Sequence, residues 1–126
     1  MIYGIGTDII EVARVKKSIE TIGGFKEKIF GDKETEYCGS KANKYEHFAG
    51  RFAAKEAFLK ALGTGWRNGI AFKEIEIVND ELGKPELKLK GKALKFVKDK
   101  GLILSGVSIS HTKETAVAVV ILEKKE

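Results

Sequence analysis

The sequence predicts an α+β fold, a single domain spanning residues 1–126 in which one long helix packs on a small, mainly antiparallel sheet. Two observations carry that expectation. Apolar residues recur at helical spacing between residues 44 and 62, and glycine follows directly. The second half alternates apolar and polar residues in short runs divided by turn-forming residues, the pattern of half-buried strands. At 126 residues with 43% hydrophobic and 33% charged side chains, the chain has enough apolar material for one modest core.

The elements follow in order. Ile2 to Thr7 reads as a short strand broken by Gly4 and Gly6, which permit close backbone approach. Asp8 ends it. From Glu11 to about Ile22, Val12, Val15 and Ile19 recur at i, i+3, i+7, and Gly23-Gly24 stops that helix. Phe25 to Phe30 forms a helical turn, and Asp32 is placed to cap a further helix from Lys33. After the polar break Ser40–Asn43, the long helix runs from about Lys44 to Leu62. Phe72 to Val78 is a strand, Asn79 to Pro85 a turn, and Leu87 with Leu89 the return strand. Gly91 to Lys100 is an amphipathic helix. Leu102–Ser110 and Ala116–Leu122 are strands joined by a hairpin at His111–Thr115.

Composition narrows the function classes. No apolar run approaches the ~18 residues a membrane helix needs, and no basic segment opens the chain as in a signal peptide. One cysteine, Cys38, excludes an internal disulfide framework and fits a reducing cytoplasm. Net charge is +5, from 20 lysines and three arginines against 18 acids, which favours anionic partners without choosing among them. A nucleic-acid-binding module would interleave arginines with aromatics on an exposed sheet, and three arginines with a lone Trp66 do not make that pattern.

Two carboxylates stand out. In the long helix, Phe52, Phe58, Leu59 and Leu62 make an apolar stripe with Glu56 at its edge, where a charge needs a partner. Glu56 either pairs with Lys60 at i+4 on the surface or serves a cation. Asp8 either caps the following helix or joins Glu56 in holding a hard cation such as Mg²⁺. Gly4-Ile5-Gly6 lacks the third glycine of a dinucleotide fingerprint. His111 has no Ser–His–Asp partners in view and reads equally as a hairpin residue, while His47 and Cys38 lack companions at zinc-ligand spacing.

Three blocks taken together resemble a known family. Gly4-Ile5-Gly6-Thr7-Asp8-Ile9 with Arg14, then Gly50-Arg51-Phe52-Ala53-Ala54-Lys55-Glu56-Ala57-Phe58 with Lys60 and Gly63-Thr64-Gly65, then Ser108-Ile109-Ser110-His111-Thr112 occur in order along nearly the whole chain. They strongly resemble the holo-acyl-carrier-protein synthases, the short phosphopantetheinyl transferases of bacterial fatty-acid synthesis. The resemblance implies the 4'-phosphopantetheinyl transferase fold and Mg²⁺-dependent transfer of 4'-phosphopantetheine from coenzyme A to a serine of an acyl carrier protein. It implies Asp8 and Glu56 as magnesium ligands and Lys60 near the diphosphate. Arg51, Gly63, Thr64, Gly65, Lys84, Pro85, His111 and Thr112 fall at positions near the nucleotide. Arg14, with Lys16 and Lys17 beside it, falls where the acidic carrier docks. A homotrimer with active sites between subunits is implied as well. A transferase serving a peptide or polyketide synthase is the rival within that chemistry, but its longer, two-repeat form does not match this half-sized chain.

Overall fold

The computed structural model describes residues 1–63 and 69–125. Among these residues, five strands and five helices follow one another as β1 (Ile2–Glu11), α1 (Val12–Thr21), α2 (Phe25–Ile29), α3 (Asp32–Gly39), α4 (Lys44–Leu62), a 3-10 turn (Phe72–Glu74), β2 (Ile75–Asn79), β3 (Pro85–Leu89), α5 (Gly91–Asp99), β4 (Leu102–His111) and β5 (Thr115–Lys124). All pairings are antiparallel, in two sheets: β1-β5-β4 and the β2-β3 hairpin. The sequence had suggested one sheet; Ile75–Asn79 pairs only with β3, so the hairpin stands as a second, smaller one.

Helix α4 lies across the three-stranded sheet, and small residues set how closely. A Cβ on Gly6 would come within 1.8 Å of the Ala57 carbonyl oxygen, and one on Gly4 within 2.1 Å of that of Ala61. The glycine pair is therefore a helix–strand contact rather than a phosphate loop. On the far strand, a Cβ on Gly50 would meet the Ile109 side chain at 2.8 Å. Ala49, Ala53, Ala54, Ala57 and Ala61 are buried at the same interface, facing Ala116, Ala118, Val120 and Leu122 from the middle strand. The helix is thus buried around most of its circumference. It ends at Gly63, whose φ of 81° is the left-handed conformation that glycine adopts without penalty.

Several boundaries differ from the sequence-based expectation; His111 and Thr115, expected in the turn, belong to β4 and β5, which pair on through His111 and Ala116. β1 continues past Thr7 to Glu11, because Asp8, Ile9 and Ile10 keep pairing with Ala118, Val117 and Ala116 of β5. Asp8 therefore sits inside a strand and caps no helix; Glu11 is the α1 N-cap. Asp32 is the first residue of α3, after the N-cap Gly31, whose N–H donates to the Glu34 carboxylate at 3.0 Å. Phe72 opens a 3-10 turn in place of a strand.

A buried ion pair ties the remaining elements to α4. Lys55 and Glu34 are each about fully enclosed, at 0% and 1% relative exposure. The Lys55 ammonium donates to Glu34 Oε1 (2.6 Å), the Ile29 carbonyl (2.7 Å) and the Phe72 carbonyl (3.1 Å), which uses all three of its protons. Glu34 also accepts from the backbone N–H of Ile77 at 3.1 Å. Burial pulls the Lys55 pKa down while Glu34 opposes the shift. The full set of hydrogen bonds is what makes a buried charge tolerable.

Candidate active site

Strand alternation carries Asp8 to the helix. Gly4, Gly6, Asp8 and Ile10 share the β1 face turned towards α4, and the glycines draw that face close enough for Asp8 to reach the helix surface. There the Asp8 carboxylate accepts a hydrogen bond from the Lys60 ammonium at 3.0 Å, and the same ammonium donates to the Thr7 carbonyl at 3.1 Å. Lys60 therefore pairs with Asp8, not with Glu56 as the i+4 spacing allowed. Glu56 stands on the same side of α4, half-buried. Burial, and then the negative charge of Asp8, push its carboxyl pKa up, with Lys60 pulling the other way.

These three residues line a cleft of about 390 Å³ together with Arg14 and Ser18 of α1 and the aromatic rings of Phe25 and Phe52. Lys16 and Lys17 are exposed on the same helix as Arg14 but outside the cleft lining; the Lys16 ammonium lies 5.5 Å from the centre of the Tyr45 ring. Two carboxylates that repel one another at the edge of an open cleft could serve as oxygen donors to a hard cation. Mg²⁺ in particular is commonly held by one or two carboxylates, with waters and substrate phosphate oxygens completing its shell. No group of three or more His, Cys, Asp or Glu able to hold a metal occurs among the described residues.

A second cleft, about 140 Å³, lies at the N-terminal half of α4. Arg51 and His111, which the resemblance pairs with the nucleotide, meet here beside Gly83 and Pro85 of the β2–β3 turn. Arg51 is buried; its guanidinium lies 4.3 Å over the Tyr37 ring and donates to Asn79 Oδ1. Its Nε is the one buried side-chain polar atom without a hydrogen-bond partner among the described residues. His111 Nδ1 lies 2.9 Å from Glu46 Oε1, and its ring packs 5.1 Å from that of His47.

The remaining residues divide. Thr112 lies in the hairpin, where its hydroxyl accepts from the N–H groups of Glu114 and Thr115 at 3.2 Å. Lys84 is exposed at the tip of the β2–β3 turn and does not line the cleft that Gly83 and Pro85 do. Gly63 closes α4, and Thr64 and Gly65 lie outside the described residues. Cys38 is buried and its thiol is raised to about 12, chiefly by burial, so it carries no thiolate near neutral pH.

Sequence reasoning gave no site role to Tyr37, Glu46, His47 or Asn79, which surround Arg51 and His111; it weighed His47 only as a zinc ligand and Asn79 only as a turn residue. It also missed the Glu34–Lys55 pair. One signal was available: Arg51, Lys55, Phe58 and Leu62 fall at i, i+4, i+7, i+11, which puts both cations on an apolar helix face.

Comparison with known proteins identifies the family. A sequence model of the 4'-phosphopantetheinyl transferase superfamily matches residues 4–120. A holo-[acyl-carrier-protein] synthase of Geobacter sp. (strain M21) is 50% identical over 125 residues, covering 98% of this chain and 100% of the relative. The crystal structure of a holo-(acyl-carrier-protein) synthase from Bacillus anthracis in complex with CoA (3',5'-ADP) superposes with a TM-score of 0.82 at 42% identity, covering 99% of both chains. The corresponding enzyme from Neisseria meningitidis gives 0.88 at 37% identity, covering 98% of this chain and 100% of the other. The chain therefore belongs to the 4'-phosphopantetheinyl transferase superfamily, within its holo-[acyl-carrier-protein] synthase family.

Proposed function

We propose that this chain transfers 4'-phosphopantetheine from coenzyme A to a serine of an acyl carrier protein of fatty-acid synthesis, releasing 3',5'-ADP, with Mg²⁺ as its metal. The observation that carries the reading is the meeting of Asp8, Glu56 and Lys60, from β1 and α4, in a cleft with Arg14 at its wall. The relatives' names supply the reaction class, and the Bacillus anthracis relative was crystallised with coenzyme A.

The serine Oγ of the carrier attacks the phosphorus that bears the pantetheine arm, and the bond from that phosphorus to the bridging oxygen breaks, leaving 3',5'-ADP. The serine proton passes to solvent water or to a Glu56 oxygen. Such transfers need alignment and charge neutralisation more than covalent help from the protein. Asp8 and Glu56 would hold the divalent cation, which when bound supplies positive charge to the diphosphate. Lys60, tethered by Asp8 and the Thr7 carbonyl, presents an ammonium to the charge that develops on the leaving group. Arg14, with Lys16 and Lys17, offers cations to the acidic carrier. Arg51, Pro85 and His111 would hold the nucleotide, with Gly63, Thr64, Gly65, Lys84 and Thr112 at its margins.

We further read the working molecule as a homotrimer in the cytoplasm, with each active site between subunits. Two features support this. The outer face of the three-stranded sheet carries Ile5 and Ile9, 60% and 70% exposed, next to Val119. The two clefts also share no lining residue, as expected if one copy supplies Asp8 and Glu56 while its neighbour supplies Arg51 and His111.

Intact-mass spectrometry of an apo acyl carrier protein incubated with this chain, coenzyme A and Mg²⁺ tests the reading. A gain of one phosphopantetheine that disappears with EDTA is expected. No gain across several carriers, with the chain folded, would sink it.

A further inference from the structure

The cleft around Arg51 contains a histidine to which the family resemblance gives no role. His47 stands edge-on to the Tyr37 ring at 5.8 Å and to the His111 ring at 5.1 Å, one residue from Glu46 on the same helix. Neither of its ring nitrogens has a hydrogen-bond partner among the described residues, although the side chain is only partly exposed. Arg51 Nε, buried in the same cluster, likewise lacks an acceptor. A buried donor without an acceptor is costly, and a ligand oxygen supplies one. His111 has Nδ1 engaged by Glu46, so Nε2 is its free nitrogen. Three nitrogen-bearing side chains thus border one small cleft with hydrogen-bonding capacity unused.

The charges around His47 explain what kind of ligand fits. Arg51 and Glu46 face it from α4, Lys41 from the segment before α4, the Tyr37 phenol from α3 and His111 from β4. The single carboxylate in that set is committed to His111. Burial first, then His111, Arg51 and Lys41, hold the His47 pKa below its ordinary value, which favours its neutral ring. A doubly charged anion reverses that balance. It pairs with Arg51 and makes an imidazolium at His47 favourable, in the manner of a charge-assisted hydrogen bond. A singly charged diester has half the charge to offer.

We infer that His47 is a further phosphate-binding residue of this cleft, and that a phosphate monoester enters together with one proton, which His47 accepts from solvent. The inference rests on the coenzyme A reading above: the 3'-phosphate of coenzyme A, kept in the product 3',5'-ADP, is a monoester of this kind. It makes nucleotide affinity, though not the chemical step, dependent on pH through a residue remote from Asp8 and Glu56.

Calorimetric titration of the full chain with 3',5'-ADP at pH 7.5, in two buffers of different ionisation heat, measures the proton directly. At that pH a phosphate monoester, whose second pKa is about 6, is already almost wholly a dianion, so uptake reports on the protein. Wild type is expected to take up a substantial fraction of a proton with coenzyme A and 3',5'-ADP, and none with 3'-dephospho-coenzyme A. His47→Phe, which keeps a ring against Tyr37, is expected to lose the uptake. Its affinity should be about tenfold below wild type at pH 6.5 and should converge with wild type above pH 8.5. Binding without proton uptake, uptake that persists in His47→Phe, or equal uptake with 3'-dephospho-coenzyme A would overturn this inference and leave the coenzyme A reading intact. No binding of coenzyme A or 3',5'-ADP by wild type at any pH would overturn both. The comparison of coenzyme A with its dephospho form uses wild type alone and tests the proton uptake itself; should His47→Phe fail to fold, His47→Gln tests its assignment to His47 instead of His111, and uptake that persists in it would overturn the inference.

Discussion

Glu56 illustrates how a single side chain can work against the stability of its own fold. Its carboxyl pKa is raised above the ordinary value by burial and by Asp8, so the ionised form is disfavoured in the native state. Between its unfolded and its folded pKa the native protein binds more protons than the unfolded chain, and stability falls as pH rises through that window. The penalty is fully present above the folded value and absent below the unfolded one. Glu56→Gln is therefore expected to raise Tm at neutral pH, with the gain vanishing in acid, while turnover drops by more than ~100-fold. Mg²⁺ should raise the Tm of wild type and leave Glu56→Gln and Asp8→Asn nearly unmoved; thermal melts with and without the ion decide this. Arg14 makes a separate case. Arg14→Glu is expected to raise KM for the carrier about tenfold or more, with KM for coenzyme A unchanged, as measured by steady-state kinetics with each substrate varied. An equal rise in both constants would place Arg14 in the nucleotide site instead.

At the scale of elements, two devices hold the site in shape. The first is the glycine face of β1. Gly6→Ala places a methyl 1.8 Å from a helix carbonyl, backbone that cannot turn aside, so β1 must shift away from α4. The expected cost is about 1–3 kcal/mol in denaturant melts, with activity falling further than stability because Asp8 rides on the same strand. The second is the Lys55–Glu34 pair, which links the ends of α2 and the 3-10 turn to α4 directly beside Glu56. Lys55→Met leaves a buried carboxylate without its cation and should cost about 3–5 kcal/mol. Adding Glu34→Gln to that variant should restore a large part of the loss, and a double-mutant cycle on urea midpoints measures the coupling. Both devices depend on residues that were visible in the sequence, yet their partners lie 21 to more than 50 positions away, as with Lys55–Glu34 and Lys60–Asp8.

Across the whole molecule, the inner and outer faces of the three-stranded sheet differ in kind. Ala116, Ala118, Val120 and Leu122 on the inner face are buried against α4, whereas Ile5, Ile9 and Val119 on the outer face meet solvent in the isolated chain. A second copy is the occupant proposed above. Ile9→Lys combined with Val119→Lys is expected to yield monomers by light scattering after gel filtration, and to lower turnover sharply if the Arg51 cleft of one copy serves the Asp8 cleft of the next. Monomers of full activity would refute sites built between subunits.

By itself the sequence determined the long helix, its glycine stop, the hairpins and the α+β class, because those depend on periodicity and turn chemistry within a few residues of each other. It also singled out Asp8, Glu56 and Lys60 as candidates for chemistry, since they sit in blocks whose local pattern is distinctive. Tertiary structure alone decided who pairs with whom. Lys60 turned from its helical neighbour Glu56 to Asp8 because the glycine contacts bring β1 against α4. Strand β1 ran on through Asp8 because β5 offered partners as far as Glu11. Arg51 and Lys55, two cations that would ordinarily face water, are buried because Tyr37, Asn79 and Glu34 arrive from other elements to receive them. Such pairings depend on the register between segments distant in sequence, a quantity that no local pattern encodes.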